Sequence, residues 1–437
     1  MHDSGKNKPF HILLVNSWVY DFAVFNLWAR PLGLLKVAEF LSQYNIDITF
    51  IDCMEGLKSG KYNTGKYPKT NIEKPEILKD IPRRYSPYGM DVDFFKEKVK
   101  KARSFDAVFI TSIMTYWWQG VAKTVEIIRE IDHKTFVILG GIYATLFPEH
   151  AENFIKPHKI HKGPISEEAV HCALPEGLNK IRNPLPYYRK NFYNRLLFAP
   201  ILTSVGCPFA CTYCASPFLN KIFSQRSHED VLKEIIELFK AGVRDFAFYD
   251  DALLMNANQY IKPLLREVAH RKLKVRFHCP NGIHAKFIDD EIAYLMKITG
   301  FKTIRLGLET VNGLRQQETG GKIRTDEFIR GAGFLKKNGF TKKEMGAYLL
   351  YGLHKQPLSE VMEGIKFLMS LDIGIKLSEF SPMPNTATFK ELVAKGVIDS
   401  DIDPLLTNNT VFSYLFSGYN RKEIDRLKQL AREYNQN

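Results

Sequence analysis

Two stretches of this chain alternate short apolar strands with amphipathic helices, and that alternation limits the fold more than any other feature. In the first, strands read at 11–16, 47–52, 107–113 and 135–141, and helices near 31–43, 93–101 and 120–131. The strands are near-continuous runs of Val, Ile, Leu and Phe, which suits strands covered on both faces. The helices carry apolar residues at three- and four-residue spacing. Together they predict a doubly wound parallel sheet. Residues 55–90, rich in Lys, Gly, Pro and Tyr, have no clear period and read as a long insertion rather than a domain.

A linker is expected at 176–199, and the second alternation follows it. Strands read at 201–205, 245–249, 274–278, 303–308, 346–351 and 375–380. Helices start near Ser227, Asn256, Asp289, Asp326 and Ser359, and Ser227 with Asp230 forms a capping-box signal for the first. Six such units in about 190 residues are too many for half a doubly wound sheet and two short of a closed barrel. The expectation is an α/β chain: a Rossmann-like domain over 1–175, a partial (β/α)6 barrel over 200–388, and a helical extension over 389–437. The extension ends in an amphipathic helix at 421–434.

At 45% hydrophobic and 25% charged residues, the 437-residue chain is neither disordered, collagen-like nor a small disulfide scaffold. Its 61 Lys and Arg against 48 Asp and Glu give +13, but the cations are spread along the whole chain. A solvated basic surface is the expectation, not a nucleic-acid partner. The polar N-terminus lacks a signal-peptide core. Pro200, Pro208 and Pro217 interrupt the longest uncharged stretch, so no membrane span is expected. A cytoplasmic, reducing compartment is expected, where six cysteines are thiols or metal ligands rather than disulfides.

Cys207, Cys211 and Cys214 share one short loop immediately after the first strand of the second alternation. Soft thiolates suit zinc, copper(I) or an iron–sulfur cluster. Structural zinc sites want four ligands in paired units, and the chain offers no partner pair. A cubane cluster held by three cysteines leaves one iron open for a small molecule. Three unreactive core cysteines and a zinc site stay open as alternatives. The loop lies at the C-terminal end of a barrel strand, where such folds hold their chemistry.

The Cys-x3-Cys-x2-Cys loop, with Tyr213 before its last cysteine, resembles the signature of radical S-adenosylmethionine (SAM) enzymes. The resemblance extends over roughly 196–386. Segment 246–251 ends the second barrel strand, where the family contacts the methionine amino group. Gly307-Leu-Glu-Thr310 resembles the family's Gly-x-Glu-Ser/Thr segment, and 350–353 and 380–386 resemble its fifth- and sixth-strand segments. Asn385 departs from the glycine found in many relatives there. The resemblance implies a [4Fe-4S] cluster on Cys207, Cys211 and Cys214, with SAM chelated on the open iron. One electron then cleaves the sulfonium to a 5′-deoxyadenosyl radical, so the enzyme would be oxygen-sensitive. Tyr213, Tyr249, Asp250 and Glu309 are candidates for holding SAM, although strand-end hydrogen bonds explain the last three equally well.

In front of such a barrel, the first half resembles the cobalamin-binding domain of the B12-dependent subgroup. Arg30-Pro-Leu-Gly-Leu-Leu35 and Gly140-Gly-x-x-Ala-Thr145 are the matching segments. Ser112, Thr115, Gly140, Gly141 and Thr145 are the candidate cobalamin contacts. No Asp-x-His-x-x-Gly is present, which implies cobalamin without a protein histidine below cobalt, or a domain that has lost the cofactor. The bulky Tyr116-Trp117-Trp118 either floors the corrin or fills its space. His158, His161 and His171 beside Cys172 read as solvated residues rather than a metal site. Cys53 and Cys279 read as core residues, with Cys279, His278 and Asn281 placed in a loop at the catalytic end of the barrel.

The leading expectation is a cobalamin-dependent radical SAM methyltransferase acting on an unactivated carbon of a peptide, protein or small molecule. An electron donor of the flavodoxin or ferredoxin type is implied. The alternative keeps the radical but performs rearrangement, cyclisation or sulfur chemistry, with a cobalamin domain that does not methylate or is empty. A tRNA methylthiotransferase-like enzyme and a non-catalytic iron–sulfur protein are minor alternatives. The first would bring three further N-terminal cysteines, whereas only Cys53 and Cys172 precede the barrel.

Overall fold

The computed structural model describes residues 10–102, 104–178, 180 and 192–436. It divides into two units, Met1–Asn26 with Arg30–Arg195 and Leu27–Ala29 with Leu196–Asn437. The polar start (1–9) and half of the expected linker (179 and 181–191) lie outside the described residues.

In the first unit, β1 (His11–Asn16), β2 (Asp47–Asp52), β3 (Ala107–Ser112), β4 (Phe136–Gly141) and β5 (Lys159–Ile160) form one parallel sheet. The order is β5-β4-β3-β1-β2, so the direction of winding reverses beside β1. Every residue of central β1 is buried, which explains its unbroken apolar run. α1 (Leu32–Leu41) turns Leu34, Val37, Ala38 and Leu41 onto Ile12, Leu14, Ala107 and Phe109. Each of the buried Leu, Val, Ile and Phe side chains among these contributes roughly 1.5–3 kcal/mol. α2 (Val92–Ala102) and α3 (Trp118–Ile131) complete the alternation. The insertion at 55–90 is tied down by antiparallel pairs of two or three residues: Ser86–Tyr88 on Val19–Asp21, and Gly65–Lys66 on both Phe25–Asn26 and Lys58–Ser59. Elements that short leave no period in a sequence.

The second unit is a parallel six-stranded sheet whose strands follow one another in chain order. They are β6 (Phe198–Ile201), β7 (Asp245–Phe248), β8 (Arg276–Ile283), β9 (Phe301–Glu309), β10 (Met345–Tyr351) and β11 (Gly374–Glu379). α4 (His228–Lys240), α5 (Ile261–His270), α6 (Asp290–Ile298), α7 (Thr325–Lys337) and α8 (Leu358–Ser370) connect them. The Ser227 side chain accepts from Asp230 N at 3.1 Å, as the capping signal requires. α5 begins at Ile261 rather than near Asn256, which sits in a left-handed conformation at φ 50°.

β8 differs most from expectation. It continues past His278 through Pro280 and Gly282, with an irregular register between Cys279 and Ile283. Cys279 and Asn281 are therefore strand residues, not members of a following loop, and Cys279 is fully buried. Helices cover one face of this sheet, where Ile304, Leu306, Leu308, Met345, Ala347, Leu349 and Ile375 are buried. α9 (Ala387–Ala394) and α10 (Arg421–Gln436) follow β11. Asn435 of α10 bonds both the N–H and the carbonyl of Ile375 at 2.8 Å, occupying part of the sheet's free edge.

Candidate active site

The cysteine loop follows β6 and is fixed from three sides. Beneath its approach, Asp250 Oδ1 accepts from Thr203 N and Oγ1 at 2.9 and 2.7 Å, and from Ser204 N and Oγ at 2.6 Å each. From the segment after β9, Thr319 O accepts from Thr212 N at 3.3 Å. Gly320 follows at φ 107°, where an added Cβ would stand 2.7 Å from Ala210 O and 3.0 Å from Cys211 Cα. From α9, Thr388 N donates to Thr212 O at 3.0 Å. Sequence reasoning did not reach Gly320 or Thr388, because both meet the loop only through tertiary folding.

Cys207, Cys211 and Cys214 are free, partly buried thiols. Burial pushes all three up, Cys214 to about 11. They fit a metal that displaces their protons better than they fit free thiolates. Lys322 is the group that opposes this shift most strongly at Cys211. Its Nζ lies 2.5 Å from Glu309 Oε1, with both side chains 17% exposed. Glu309 ends β9 at φ 67°, a conformation costly for a residue with a Cβ and found mainly where neighbours enforce it. Among the described residues, no three His, Cys, Asp or Glu side chains gather around a single-ion site. A cubane binds each thiolate to a different iron, so its ligands need not converge on one point.

Tyr213 lies beside this group; burial, then Glu309 and Cys211, pushes its hydroxyl up. Asp250 is 2% exposed, with Oδ1 committed to Thr203 and Ser204 and Oδ2 buried without a partner. Burial raises its carboxyl to about 6 against those hydrogen bonds. The Tyr249 hydroxyl donates to Leu27 O at 2.7 Å. Asp251 accepts from the Ser216 hydroxyl, and Ser216 N donates to Cys214 Sγ at 3.5 Å. His284, which the sequence did not single out, packs its ring 4.7 Å from Phe209 of the loop. Burial and the nearby Lys322 and Lys286 hold it down at about 3, hence neutral. Asn385 stands at φ 69°. Asparagine tolerates that region better than other residues with a Cβ, which accounts for its replacing glycine in this segment.

His278 is used inside the barrel unit. Its ring bonds Asp245 Oδ1 at 3.0 Å and Thr303 Oγ1 at 3.1 Å, and Trp28 stacks on it at 3.8 Å. Burial pushes the Cys279 thiol up, so it is an un-ionised strand residue.

In the first unit, the C-terminal ends of β3 and β4 bring together Ser112, Thr115, Gly140, Gly141 and Thr145. Gly141 has φ 94°, and a Cβ there would meet Ser112 O at 2.6 Å. At Gly140 a Cβ would meet nothing within 4 Å, so the strand end is open on that side. Thr145 Oγ1 donates to Gly141 O at 2.8 Å and accepts from Gly163 N at 3.0 Å; Ser112 Oγ donates to Met114 O at 3.0 Å. Thr115 is fully buried. Of the aromatic trio, Tyr116 is buried, Trp117 Nε1 donates to Asp21 at 2.8 Å, and Trp118 opens α3 against His150. At the ends of β1 and β2, Arg30 lies 4.0 Å over the Tyr193 ring and 3.4 Å from Asp52, which also accepts from Asn16 and Tyr193. His158, His161 and His171 each have a local hydrogen-bond partner: Val137 N, Pro164 O and Tyr44 Oη.

Residues 201–368 match the model of the Radical SAM superfamily. Over 342 residues the chain is 24% identical to an uncharacterized methyltransferase of Pyrococcus horikoshii, covering 70% of this chain and 73% of the relative. Among solved structures it is similar to the radical SAM methyltransferase TsrM of Kitasatospora setae, with TM-score 0.67 and 16% identity, over 88% of this chain and 76% of that one. It is also similar to OxsB, a cobalamin-dependent SAM radical enzyme, with TM-score 0.64 and 11% identity, over 98% of this chain and 71% of that one. The chain is thus an enzyme whose residues 201–368 carry a radical SAM domain, preceded by a Rossmann-type sheet as in the folds of TsrM and OxsB.

Proposed function

We propose that the chain binds a [4Fe-4S] cluster, SAM and cobalamin, and transfers a methyl group to an unactivated carbon. When bound, these groups supply the electron that cleaves SAM to a 5′-deoxyadenosyl radical, and the carrier from which the methyl group leaves. The observation that carries the reading is the loop of three free thiols beside the partly buried Lys322–Glu309 pair. Cys207, Cys211 and Cys214 would each ligate one iron. Glu309, held by Lys322, would face the polar groups of SAM, and Tyr213 would border the same space. Asp250 orients rather than binds: its four hydrogen bonds fix Thr203 and Ser204, between β6 and the cysteine loop. Partial burial of the loop restricts water, as a reactive radical requires.

For cobalamin, the open side of Gly140 and the close approach enforced at Gly141 suit a flat ligand laid against backbone. Ser112, Thr115 and Thr145 would line that strand end as polar neighbours. Support for methyl transfer comes from the likeness to the Pyrococcus horikoshii methyltransferase and to the methyltransferase TsrM, and support for cobalamin from the likeness to OxsB. The substrate is read as a small molecule or a peptide.

The test is anaerobic protein reconstituted with iron, sulfide and hydroxocobalamin, then given SAM and a strong reductant. The expected products are 5′-deoxyadenosine and S-adenosylhomocysteine, with about one cobalt bound per chain. Formation of 5′-deoxyadenosine with no bound cobalt overturns the methyl-transfer reading and leaves a radical enzyme of the rearrangement or cyclisation type.

A further inference from the structure

The inner face of the six-stranded sheet carries charge that the proposed chemistry leaves unused. Partners in a parallel sheet share a face. Arg305 pairs with Gly346, and Gly346 with Gly374, so these three lie on one face, with Lys376 two residues further along it. His278 and Thr303 share this face, whereas the intervening Ile304, Leu306, Ala347, Leu349 and Ile375 face the helices. The missing side chain at Gly346 leaves room between the two cations. A Cβ there would lie 3.4 Å from Arg305 Nη1.

Positive charge exceeds negative charge in this patch. Asp245 is engaged by Arg276 through two bonds of 2.6 Å and by His278. Among the described residues, no carboxylate forms an ion pair with Arg305 or Lys376, and Arg305 bonds only to Ile304 O at 3.0 Å. Burial lowers the pKa of both cations, and Arg305 lowers Lys376 and His278 further. Two neighbouring, partly desolvated cations without an acid are unfavourable alone and become favourable when an anion joins them.

We propose that Arg305 and Lys376 form a recognition site for an anionic group, a carboxylate or a phosphate, carried by the substrate. The guanidinium presents a planar fork of donors and the ammonium a point charge, a pairing suited to either group. Arg305 precedes Glu309 by four residues, or about 13 Å of strand. The anion therefore binds well down the strand from the cysteine loop, away from the methionine end of SAM. This inference rests on the radical SAM reading, and it narrows the substrate class to acidic molecules.

The test titrates inorganic phosphate, succinate and neutral succinamide calorimetrically into reconstituted wild-type protein, Arg305→Gln and Lys376→Met. Phosphate and succinate should bind wild type and succinamide should not, and each substitution should weaken binding by about tenfold or more. SAM affinity and iron content should stay unchanged in both variants. Anion affinity that is absent in wild type, or equal in the variants, overturns the proposal. SAM affinity that falls in step with anion affinity overturns it too, by assigning the pair to the cofactor's carboxylate. Should the variants misfold, wild-type protein alone decides: phosphate should slow acylation of Lys376 several-fold, and no protection contradicts the site. Iron content and SAM cleavage measured on the same wild-type samples report separately on the radical SAM reading.

Discussion

At the scale of single residues, Asp250 separates holding a site from touching a ligand. Its carboxyl is buried and raised from 3.8 to about 6, so folding disfavours its charged form. The unfolded chain loses this proton first as pH rises, and the folded state is penalised increasingly from about pH 4 to about pH 6. Above that window the penalty is fully present, about 3 kcal/mol at 1.4 kcal/mol per pH unit. Asp250→Asn keeps an oxygen for the Thr203 and Ser204 bonds and removes the charge. Chemical denaturation of the apoprotein should show the variant gaining about 2 kcal/mol over wild type between about pH 4 and about pH 8. A gap that stays constant or moves the other way contradicts this account. The sequence marked Asp250 because it ends a barrel strand, but burial and the four bonds to one oxygen arise only in the folded chain. Asn385 was legible as a departure from a glycine, and its left-handed backbone supplies the reason.

Among the elements, the cysteine loop was readable in full from its spacing, because all three ligands lie within eight residues of sequence. What shapes it was not. Thr319, Gly320 and Thr388 come from segments more than a hundred residues away. Gly320→Ala would bring a Cβ against Ala210 O and Cys211 Cα at a backbone conformation that alanine resists. The variant should keep the secondary structure of wild type by circular dichroism. After identical anaerobic reconstitution it should hold roughly half the iron or less, because displacing Cys211 spoils a three-ligand set. Wild-type iron content in that variant would mean that the close approach does not shape the site. The strand β8 was read short for a related reason. Pro280 and Gly282 signal a strand's end, yet here they continue it through an irregular register. Cys279 and Asn281 are consequently strand residues rather than members of a loop.

For the whole molecule, the two alternations of strand and helix determined most of the architecture, since parallel strands require crossovers that leave a long-period record in sequence. The six-stranded sheet and four strands of the five-stranded one follow from it; β5, only two residues long, does not. The antiparallel pairs that organise residues 55–90 left no such record, being only two or three residues long. Charge was legible only as a sum. The +13 balance gave no hint that Arg305 and Lys376 share one inner face, because sheet register, not composition, puts them there. The central claim is that Cys207, Cys211 and Cys214 hold a four-iron cluster on which SAM cleavage depends. The most direct measurement is iron and acid-labile sulfide per chain, with the electron paramagnetic resonance spectrum of the reduced protein, for wild type and a variant with all three cysteines replaced by alanine. The account predicts about four of each in wild type, a spectrum that changes when SAM is added, and neither iron nor signal in the variant. Equal iron in the two proteins, or none in wild type, would contradict it.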